Sequence, residues 1–298
     1  MRWTPGGSDE NLEDRRGESG GSGGGLGGGG GGLKLGLGGT VVVLLLSLVF
    51  HKDFFSILDG GAASDPVPSS ASPLAGAPRG APVQSSASED SLVQFVRFLL
   101  NDTQDTWRQT FAASGKTYRD AKLVLFRDGI QSACGFTESA TGPFYCPGDE
   151  KVYIDLGFYY ELKTRFGAPG DFAQAYVLAH EFGHHVQKLL GTEAAMRRAQ
   201  QQHPEQQNAL SVKMELQADC YAGVWAFSAQ KRNHLDPGDV EEGLAAASSV
   251  GDDRLQRMAH RSVNPESFTH GSSAQRVEWF KRGFAQGAVS NCDTFNGQ

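Results

Sequence analysis

Two histidines four residues apart, inside a stretch of mostly uncharged residues, constrain the fold of this 298-residue chain most strongly. Residues 175–190 read AYVLAHEFGHHVQKLL and predict an α-helix. On a helix, His180 and His184 project from one face, so their ring nitrogens can converge on a single metal ion. The apolar neighbours predict that this helix lies in the protein core, whereas a chance HExxH match would lie on a surface helix.

A second predicted helix carries a matching pair of acidic residues. Glu215 and Asp219 are also four residues apart, and most of their neighbours are apolar. A solvated acidic face is the alternative, but two unpaired carboxylates on an apolar helix would be costly. Zinc in hydrolytic sites takes three protein ligands and keeps one open position. One carboxylate can therefore complete the metal shell, while the other accepts the free imidazole N–H of a ligand histidine.

HExxH followed about thirty residues later by ExxxD resembles the gluzincin metallopeptidases. A fuller set of motifs is similar to the neutral zinc metallopeptidase family of bacteria: the N-terminal MRW, the glycine run with the apolar stretch after it, AHEFGHHVQ, ELQADCYAG and THGSSAQRVEWF. The resemblance implies that one zinc ion is bound by His180, His184 and Glu215. It further implies that Glu181 is the general base and that Asp219 holds His180 from behind.

Two other histidines need separate interpretation. In gluzincins a histidine beyond the third ligand stabilises the oxyanion, and the resemblance makes His270 the candidate for that catalytic role. The alternative is a loop histidine in front of a helix that Ser272 or Ser273 caps. His185 points about 100° away from the ligand face of its helix, which predicts a packing or hydrogen-bonding role.

The first 89 residues differ in composition from the rest of the chain. Of the 39 glycines, 17 lie in the first 39 residues, which predicts a disordered tail over residues 1–32. Residues 33–52 predict a transmembrane anchor, because residues 35–50 are apolar and lysines flank them. Residues 53–89 are rich in Ala, Ser, Pro and Gly and predict a flexible linker to a folded domain over residues 90–298.

The charges around the anchor predict its orientation. Four basic residues precede the apolar stretch 35–50 and Lys52 alone follows it closely, so the tail is expected in the cytoplasm and the folded domain outside, on a single-pass protein of the cell membrane. A buried core helix is disfavoured because the neighbouring segments offer no core. A cleaved signal peptide is disfavoured because the segment before the apolar run is too long.

The folded domain is predicted to be α+β. Apolar residues at helical spacing indicate a first amphipathic helix from residue 92 onward. Residues 122–127 (KLVLFR) predict a strand, and residues 132–155 predict a strand, a loop and another strand. Everything after Phe158 is expected to be helical, so a small β-sheet is followed by a mainly helical, zincin-like metallopeptidase domain.

Charge and cysteine content narrow the classes of function. A net charge of −7 gives no basic excess to neutralise phosphates, so no nucleic-acid partner is expected. No CxxC spacing occurs among the four cysteines, which disfavours zinc ligation by cysteine. Outside the cytoplasm, Cys134–Cys146 and Cys220–Cys292 are plausible disulfides; otherwise all four are buried thiols.

These observations favour a membrane-anchored zinc metallopeptidase that hydrolyses peptide bonds of a peptide or protein substrate, and endopeptidase activity is expected. The zinc would polarise the scissile carbonyl and acidify a water, and Glu181 would take the proton of that water. The alternative is a non-catalytic, membrane-anchored binding or assembly protein with a structural zinc site. An ion with no open coordination position would favour that alternative.

Overall fold

Helices dominate the part of the chain that the computed structural model describes, residues 1–18 and 86–296. The α-helices are α1 (Ala87–Ala113), α2 (Gly157–Thr164), α3 (Asp171–Leu190), α4 (Thr192–Gln202), α5 (Gln207–Lys231), α6 (Asp239–Ser249), α7 (Asp252–Met258) and α8 (Ser273–Gln286). The strands are β1 (Leu12–Asp14), β2 (Lys122–Phe126), β3 (Gly129–Ser132), β4 (Gly135–Glu138), β5 (Phe144–Cys146) and β6 (Lys151–Asp155). The predicted α+β class with a helical majority is confirmed.

The main sheet has the strand order β1-β2-β6-β5. β1, β2 and β6 run parallel, and β5 pairs antiparallel with β6 at the far edge. Four of the five residues of β2 are buried, because β2 lies between two strands and is covered on both faces. Continuous burial explains why KLVLF is an apolar run rather than an alternation. A strand, a loop and a strand were expected over residues 132–155, but the hairpin β3–β4, which starts at Gly129, precedes β5 and β6.

The prediction of a disordered tail over residues 1–32 is wrong for residues 1–18. β1 adds to the sheet in parallel register, with Leu12 opposite Leu123. The buried side chain of Arg16 bonds Asp14 and, at 2.7 Å, Glu89 in the first turn of α1. Glycine content predicted disorder because it measures backbone entropy, but the glycine run begins only after this strand, and the earlier residues bury enough surface to stay in place.

The first residues of the chain also contact helices α1, α3 and α6. The α-ammonium group of Met1 donates to Asp171 at 2.8 Å and to Asp239 at 3.3 Å, so it fills the carboxylate cluster between α3 and α6. The Trp3 ring packs 5.3 Å from that of Phe95 on α1. Residues 1–18 and the folded domain therefore lie together. This contact contradicts the predicted placement of the N-terminus and the domain on opposite sides of a membrane.

The predicted anchor, residues 33–52, and most of the predicted linker, residues 53–89, lie outside the described residues. Within residues 1–18 and 86–296, no helix combines the length and the apolar character needed to cross a membrane. α1 starts at Ala87, with Ser86 as its N-cap, three residues before the start predicted for the folded domain. The Ser86 side chain accepts the N–H of Glu89, which satisfies one of the free donors of the first helical turn.

Helices α3 and α5 cross in the core and carry the two sequence motifs. α5 packs on its other side against α8, and glycines allow that crossing. A Cβ atom on Gly223 would lie 2.1 Å from the carbonyl oxygen of Phe280, and one on Gly283 would lie 1.9 Å from that of Cys220. Only residues without a side chain permit the two backbones to approach this closely.

Two disulfides form, as the extracytoplasmic interpretation predicted. Cys134–Cys146 joins the β3–β4 hairpin to β5. Cys220–Cys292 joins α5 to the C-terminal turn, across 72 residues of sequence. The second bridge lies one residue after Asp219 and fixes the C-terminal segment against the helix that carries Glu215.

Candidate metal centre

Helix α3 brings the two histidines to one point in the core. It begins after Gly170 and ends at Gly191, which has left-handed backbone geometry (φ 80°) suited to a helix C-terminus. Fourteen of its 20 residues are buried, in line with the core helix that the uncharged sequence predicted. The rings of His180 and His184 lie with their centroids 4.8 Å apart, on the same face of the helix.

Glu215 of α5 meets both imidazoles. Its Oε2 lies 3.2 Å from His180 Nε2, and its Oε1 lies 3.6 Å from His184 Nε2. Zinc–ligand bonds of about 2.0–2.1 Å in a tetrahedron place neighbouring donor atoms roughly 3.3 Å apart. Donor atoms of these three residues lie within 4.8 Å of one another, so they fit one zinc ion without rearrangement of the helices.

The charges of this cluster favour a cation. Burial opposes ionisation of Glu215, but His184, His270 and a hydrogen bond from His180 outweigh it and hold the pKa of this carboxyl far below its usual range. Burial likewise opposes protonation of His180, yet the Asp219 carboxylate raises its pKa to about 10. The raised pKa favours the imidazolium form of His180, with a proton on each nitrogen, so metal binding at Nε2 must displace the proton there.

Glu181 lies beside the cluster but has a different environment. Its side chain is buried, and burial raises its pKa while the charges of His184 and His180 act to lower it. These interactions place its carboxylate within electrostatic reach of both histidines. A carboxylate with a raised pKa holds a proton better than an exposed one does, which suits a group that accepts and returns protons near neutral pH.

Asp219 lies behind His180, on the side away from Glu215. The Nδ1 atom of His180 lies 2.9 Å from Asp219 Oδ1, and Asp219 is fully buried. The hydroxyl of Tyr176, one helical turn before His180, donates to the same Asp219 oxygen. A hydrogen bond at Nδ1 fixes the tautomer that leaves Nε2 free for a metal.

His184 has a corresponding partner in Gln187. His184 Nδ1 lies 2.9 Å from Gln187 Oε1. The amide nitrogen of Gln187 donates to Met214 O at 2.7 Å and to Gln217 Oε1 at 3.1 Å, and both acceptors belong to α5. Each ligand histidine is therefore oriented through Nδ1 by a side chain that α5 either supplies or holds.

The loop before α8 brings His270 to the edge of this cluster. Gly271, at φ 91°, packs against Val212 and Leu216, which flank Glu215 on α5. Burial lowers the pKa of His270, but the charges of Glu215 and Asp252 outweigh that effect and raise it. Its Nδ1 lies 3.0 Å from Thr269 Oγ1 and 3.4 Å from Asp252 Oδ1, so a bond to a substrate would come from Nε2.

Asp252 holds this loop by its backbone. One of its oxygens, Oδ2, accepts the N–H groups of Thr269, His270 and Gly271 at 2.7, 2.6 and 3.0 Å. His185, in contrast, takes no part in the cluster. Its Nδ1 lies 2.9 Å from the Tyr145 hydroxyl, and its Nε2 donates to the carbonyl oxygen of Arg119 at 2.6 Å. This is the hydrogen-bonding role that its position on the helix predicted.

The chain matches, over residues 1–295, the family described as "Putative neutral zinc metallopeptidase". The chain belongs to this family. YpfJ of Escherichia coli K12, described as an uncharacterized protein, is 47% identical over 297 residues, which are 99% of each chain. The uncharacterized protein Mb2605 of Mycobacterium bovis is 44% identical over 190 residues, 60% of this chain and 64% of the relative. No solved structure matches the chain.

The structure brings together all the residues that the sequence singled out, namely His180, Glu181, His184, Glu215, Asp219 and His270. Four further residues of the site were missed: Tyr176, Gln187, Asp252 and Arg276. Tyr176 had a detectable signal, because it precedes His180 by four residues on the same helix face. Arg276 lies inside the quoted THGSSAQRVEWF motif, but Asp252 gave no signal, since its partners are backbone groups of a distant loop.

Proposed function

We propose that this chain is a zinc-dependent peptidase, an endopeptidase that cuts within unfolded or extended polypeptides. The observation that carries the proposal is the spacing of His180 Nε2, His184 Nε2 and the Glu215 carboxylate, which fits one tetrahedral zinc ion. Two neutral imidazoles and one carboxylate form a ligand set of the kind that catalytic zinc sites use.

Exposure of the ligands supports a catalytic rather than a structural ion. The side chain of His180 is 8% exposed, but those of His184 and Glu215 are each 19% exposed. The ligand cluster thus has an open side toward solvent, where a water or a substrate carbonyl can reach it. A structural zinc site has four protein ligands and no open side.

A zinc ion held by these three residues supplies Lewis-acid chemistry, since it polarises a carbonyl and lowers the pKa of a bound water. Glu181 takes a proton from the attacking water onto its carboxylate and then delivers that proton to the leaving amine. Burial assists both steps, because it raises the pKa of Glu181 and makes the protonated form accessible. Asp219 and Gln187 keep the two ligand imidazoles in the required tautomer.

His270 is proposed to stabilise the negative charge that develops on the substrate oxygen. Its raised pKa favours the protonated imidazole, which donates from Nε2 while Thr269 and Asp252 hold Nδ1. A positioned donor of this type contributes most when it is fixed before the reaction. The Asp252 carboxylate provides that fixation through three backbone N–H groups of the loop.

The proposal is tested with the full chain, because residues 1–18 belong to the folded structure. Zinc content and hydrolysis of an unfolded protein are measured for wild type, Glu181→Gln and Glu215→Gln. We expect Glu181→Gln to keep zinc and lose hydrolysis, whereas Glu215→Gln loses zinc because the ligand charge is gone. Equal zinc loss in both variants would show that the roles are assigned wrongly. Hydrolysis that survives removal and exclusion of zinc would refute the proposal.

We also propose that the folded domain, together with residues 1–18, works outside the cytoplasm. Its two disulfides support this location, since such bonds persist in oxidising compartments. The test is labelling of intact cells with a membrane-impermeant thiol reagent. A cysteine placed at exposed Ser8 should be labelled, because residues 1–18 contact the domain. Labelling only after the cells are opened would refute the location.

A further inference from the structure

The carboxylate behind His180 is bound more extensively than an orienting role alone requires. Asp219 is fully buried and receives donors from three residues. Arg276 donates from Nε to Oδ2 at 2.8 Å and from Nη2 to Oδ1 at 2.9 Å, a bidentate ion pair. The Tyr176 hydroxyl and His180 Nδ1 meet the same Oδ1 atom. Asp219 is thus shared between the metal ligand and a guanidinium group.

Arg276 is itself held rigidly. It lies in the first turn of α8, where Ser272 and Gln275 form a capping box that fixes the start of the helix. Arg276 is 4% exposed, and its Nη1 donates to the carbonyl oxygen of Val250 at 3.3 Å. Its Nη2 also lies 3.2 Å from the Tyr176 hydroxyl. The guanidinium plane therefore has one orientation, set by α3, α5 and the end of α6.

We propose that Arg276 is a positioning residue of the metal centre. It clamps both oxygens of Asp219, so that Oδ1 stays in line with His180 Nδ1 and His180 Nε2 stays directed at Glu215. Without the clamp, the carboxylate keeps only the Tyr176 and His180 contacts on one oxygen and is free to rotate about its terminal bond. The ring of His180 would then lose the fixed acceptor that defines its direction.

An opposing electrostatic effect has to be weighed. Arg276 Nη2 lies 3.3 Å from His180 Nδ1, so the cation stands close to a metal ligand and would repel a zinc ion. The Asp219 carboxylate lies against the guanidinium and compensates its charge. Removal of the cation would leave the buried Asp219 carboxylate without its bidentate partner, and such a loss is strongly destabilising in a protein interior. Loss of position should therefore outweigh relief of repulsion, and zinc should bind more weakly without Arg276.

This inference rests on the proposed zinc site, and its test measures zinc binding rather than hydrolysis. Zinc dissociation constants, from competition with a chelator, and unfolding of the zinc-free chain are measured for wild type, Arg276→Met, Arg276→Lys and Asp219→Asn. Arg276→Met should bind zinc about 10–100-fold more weakly, the range usual for partners of metal ligands. Arg276→Lys should recover much of the stability of the zinc-free chain but still bind zinc several-fold more weakly, because an ammonium group cannot clamp both oxygens.

Another bidentate ion pair, in which Asp102 is buried and Arg232 is 28% exposed, provides the control. Arg232 holds Asp102 in the same bidentate way, from Nε at 3.0 Å and from Nη2 at 2.8 Å, away from the metal centre. Arg232→Met should reduce the stability of the zinc-free chain and leave the zinc dissociation constant unchanged. The double variant Arg276→Met/Asp219→Asn should bind zinc no more weakly than Asp219→Asn alone, because Arg276 acts through Asp219.

Three results would overturn the inference: wild-type or tighter zinc binding by Arg276→Met, wild-type affinity in Arg276→Lys, or losses that add in the double variant. Wild-type affinity in a destabilised Arg276→Met would show a purely structural ion pair and leave the proposed function intact. Failure of the wild-type chain itself to bind zinc would refute the proposed function, and the role of Arg276 with it.

Discussion

Gly183, between the two ligand histidines, sets how closely α3 approaches α5. A Cβ atom at this position would lie 3.0 Å from the carbonyl oxygen of Ala218, 3.1 Å from its Cα and 3.3 Å from its Cβ. The contact is mainly with backbone, so no flexible side chain can move aside. Gly183→Ala must therefore displace the two helices by a few tenths of an ångström.

The size of the effect follows from two opposing contributions. Alanine in place of glycine inside a helix gains about 1 kcal/mol of intrinsic helix stability. Overpacking of a core contact costs about 1–3 kcal/mol. We expect a net loss of about 1 kcal/mol in the free energy of unfolding of the zinc-free chain. Ala218 immediately precedes Asp219 and follows Glu215 by less than one turn, so its displacement also separates Glu215 from the histidines and weakens zinc binding, by up to about tenfold.

Urea unfolding of the zinc-free chain and chelator competition for zinc measure the two effects. Gly243→Ala is the matched control, because Gly243 is also a helix-interior glycine whose added Cβ would meet a ring atom of Phe172 at 2.7 Å. That variant should lose stability but keep zinc affinity. If Gly183→Ala is more stable than wild type and binds zinc equally well, the close crossing of α3 and α5 does not set the ligand spacing.

Three further predictions concern the parts around the site. The Glu13 carboxylate bonds Lys151 and Lys122; burial raises its pKa, but the two lysines outweigh burial and lower it. Its contribution to stability is therefore complete above the unfolded pKa and disappears as the pH falls through the lower folded value. In Glu13→Gln the free energy of unfolding should depend less on pH in the acid range, and an unchanged pH dependence would contradict the assignment. Asp252→Ala leaves three backbone N–H groups of the His270 loop without their acceptor, at a cost of about 1–3 kcal/mol each if they stay buried. Hydrolysis should fall while zinc content is kept, and Asp252→Asn should lose less activity because it keeps an acceptor oxygen. Removal of Cys220–Cys292, which closes a loop of 72 residues, should lower the free energy of unfolding by about 4 kcal/mol, and removal of Cys134–Cys146, which closes 12, by about 3 kcal/mol. Denaturant unfolding of the two paired Cys→Ser variants tests this order.

The sequence predicted the elements whose periodicity is local. The helix spacing of His180 and His184, and of Glu215 and Asp219, was enough to place four side chains on two helix faces that meet. The pairing of Cys220 with Cys292 was also within reach, because few combinations of four cysteines exist. In each case a short stretch of chain, or a very small set of partners, contains the information.

Contacts between distant segments were not predictable in the same way. β1 was missed because its three residues carry no periodic pattern, and its stability comes from pairing with β2 more than a hundred residues away. Arg276 and Asp252 were missed for a related reason. Each is a charged residue on a short or polar segment, and its role exists only because the fold buries it against a partner from another helix or loop.

X-ray absorption at the zinc edge, on the full chain loaded with one equivalent of zinc, tests the ligand set most directly. We expect four nitrogen or oxygen neighbours at about 2.0–2.1 Å, with the outer-shell signature of two imidazoles and without sulfur. Addition of a small zinc-chelating peptide hydroxamate should change the spectrum, because the open position is filled. A sulfur neighbour at about 2.3 Å, or a spectrum that the hydroxamate leaves unchanged, would contradict a catalytic zinc held by His180, His184 and Glu215.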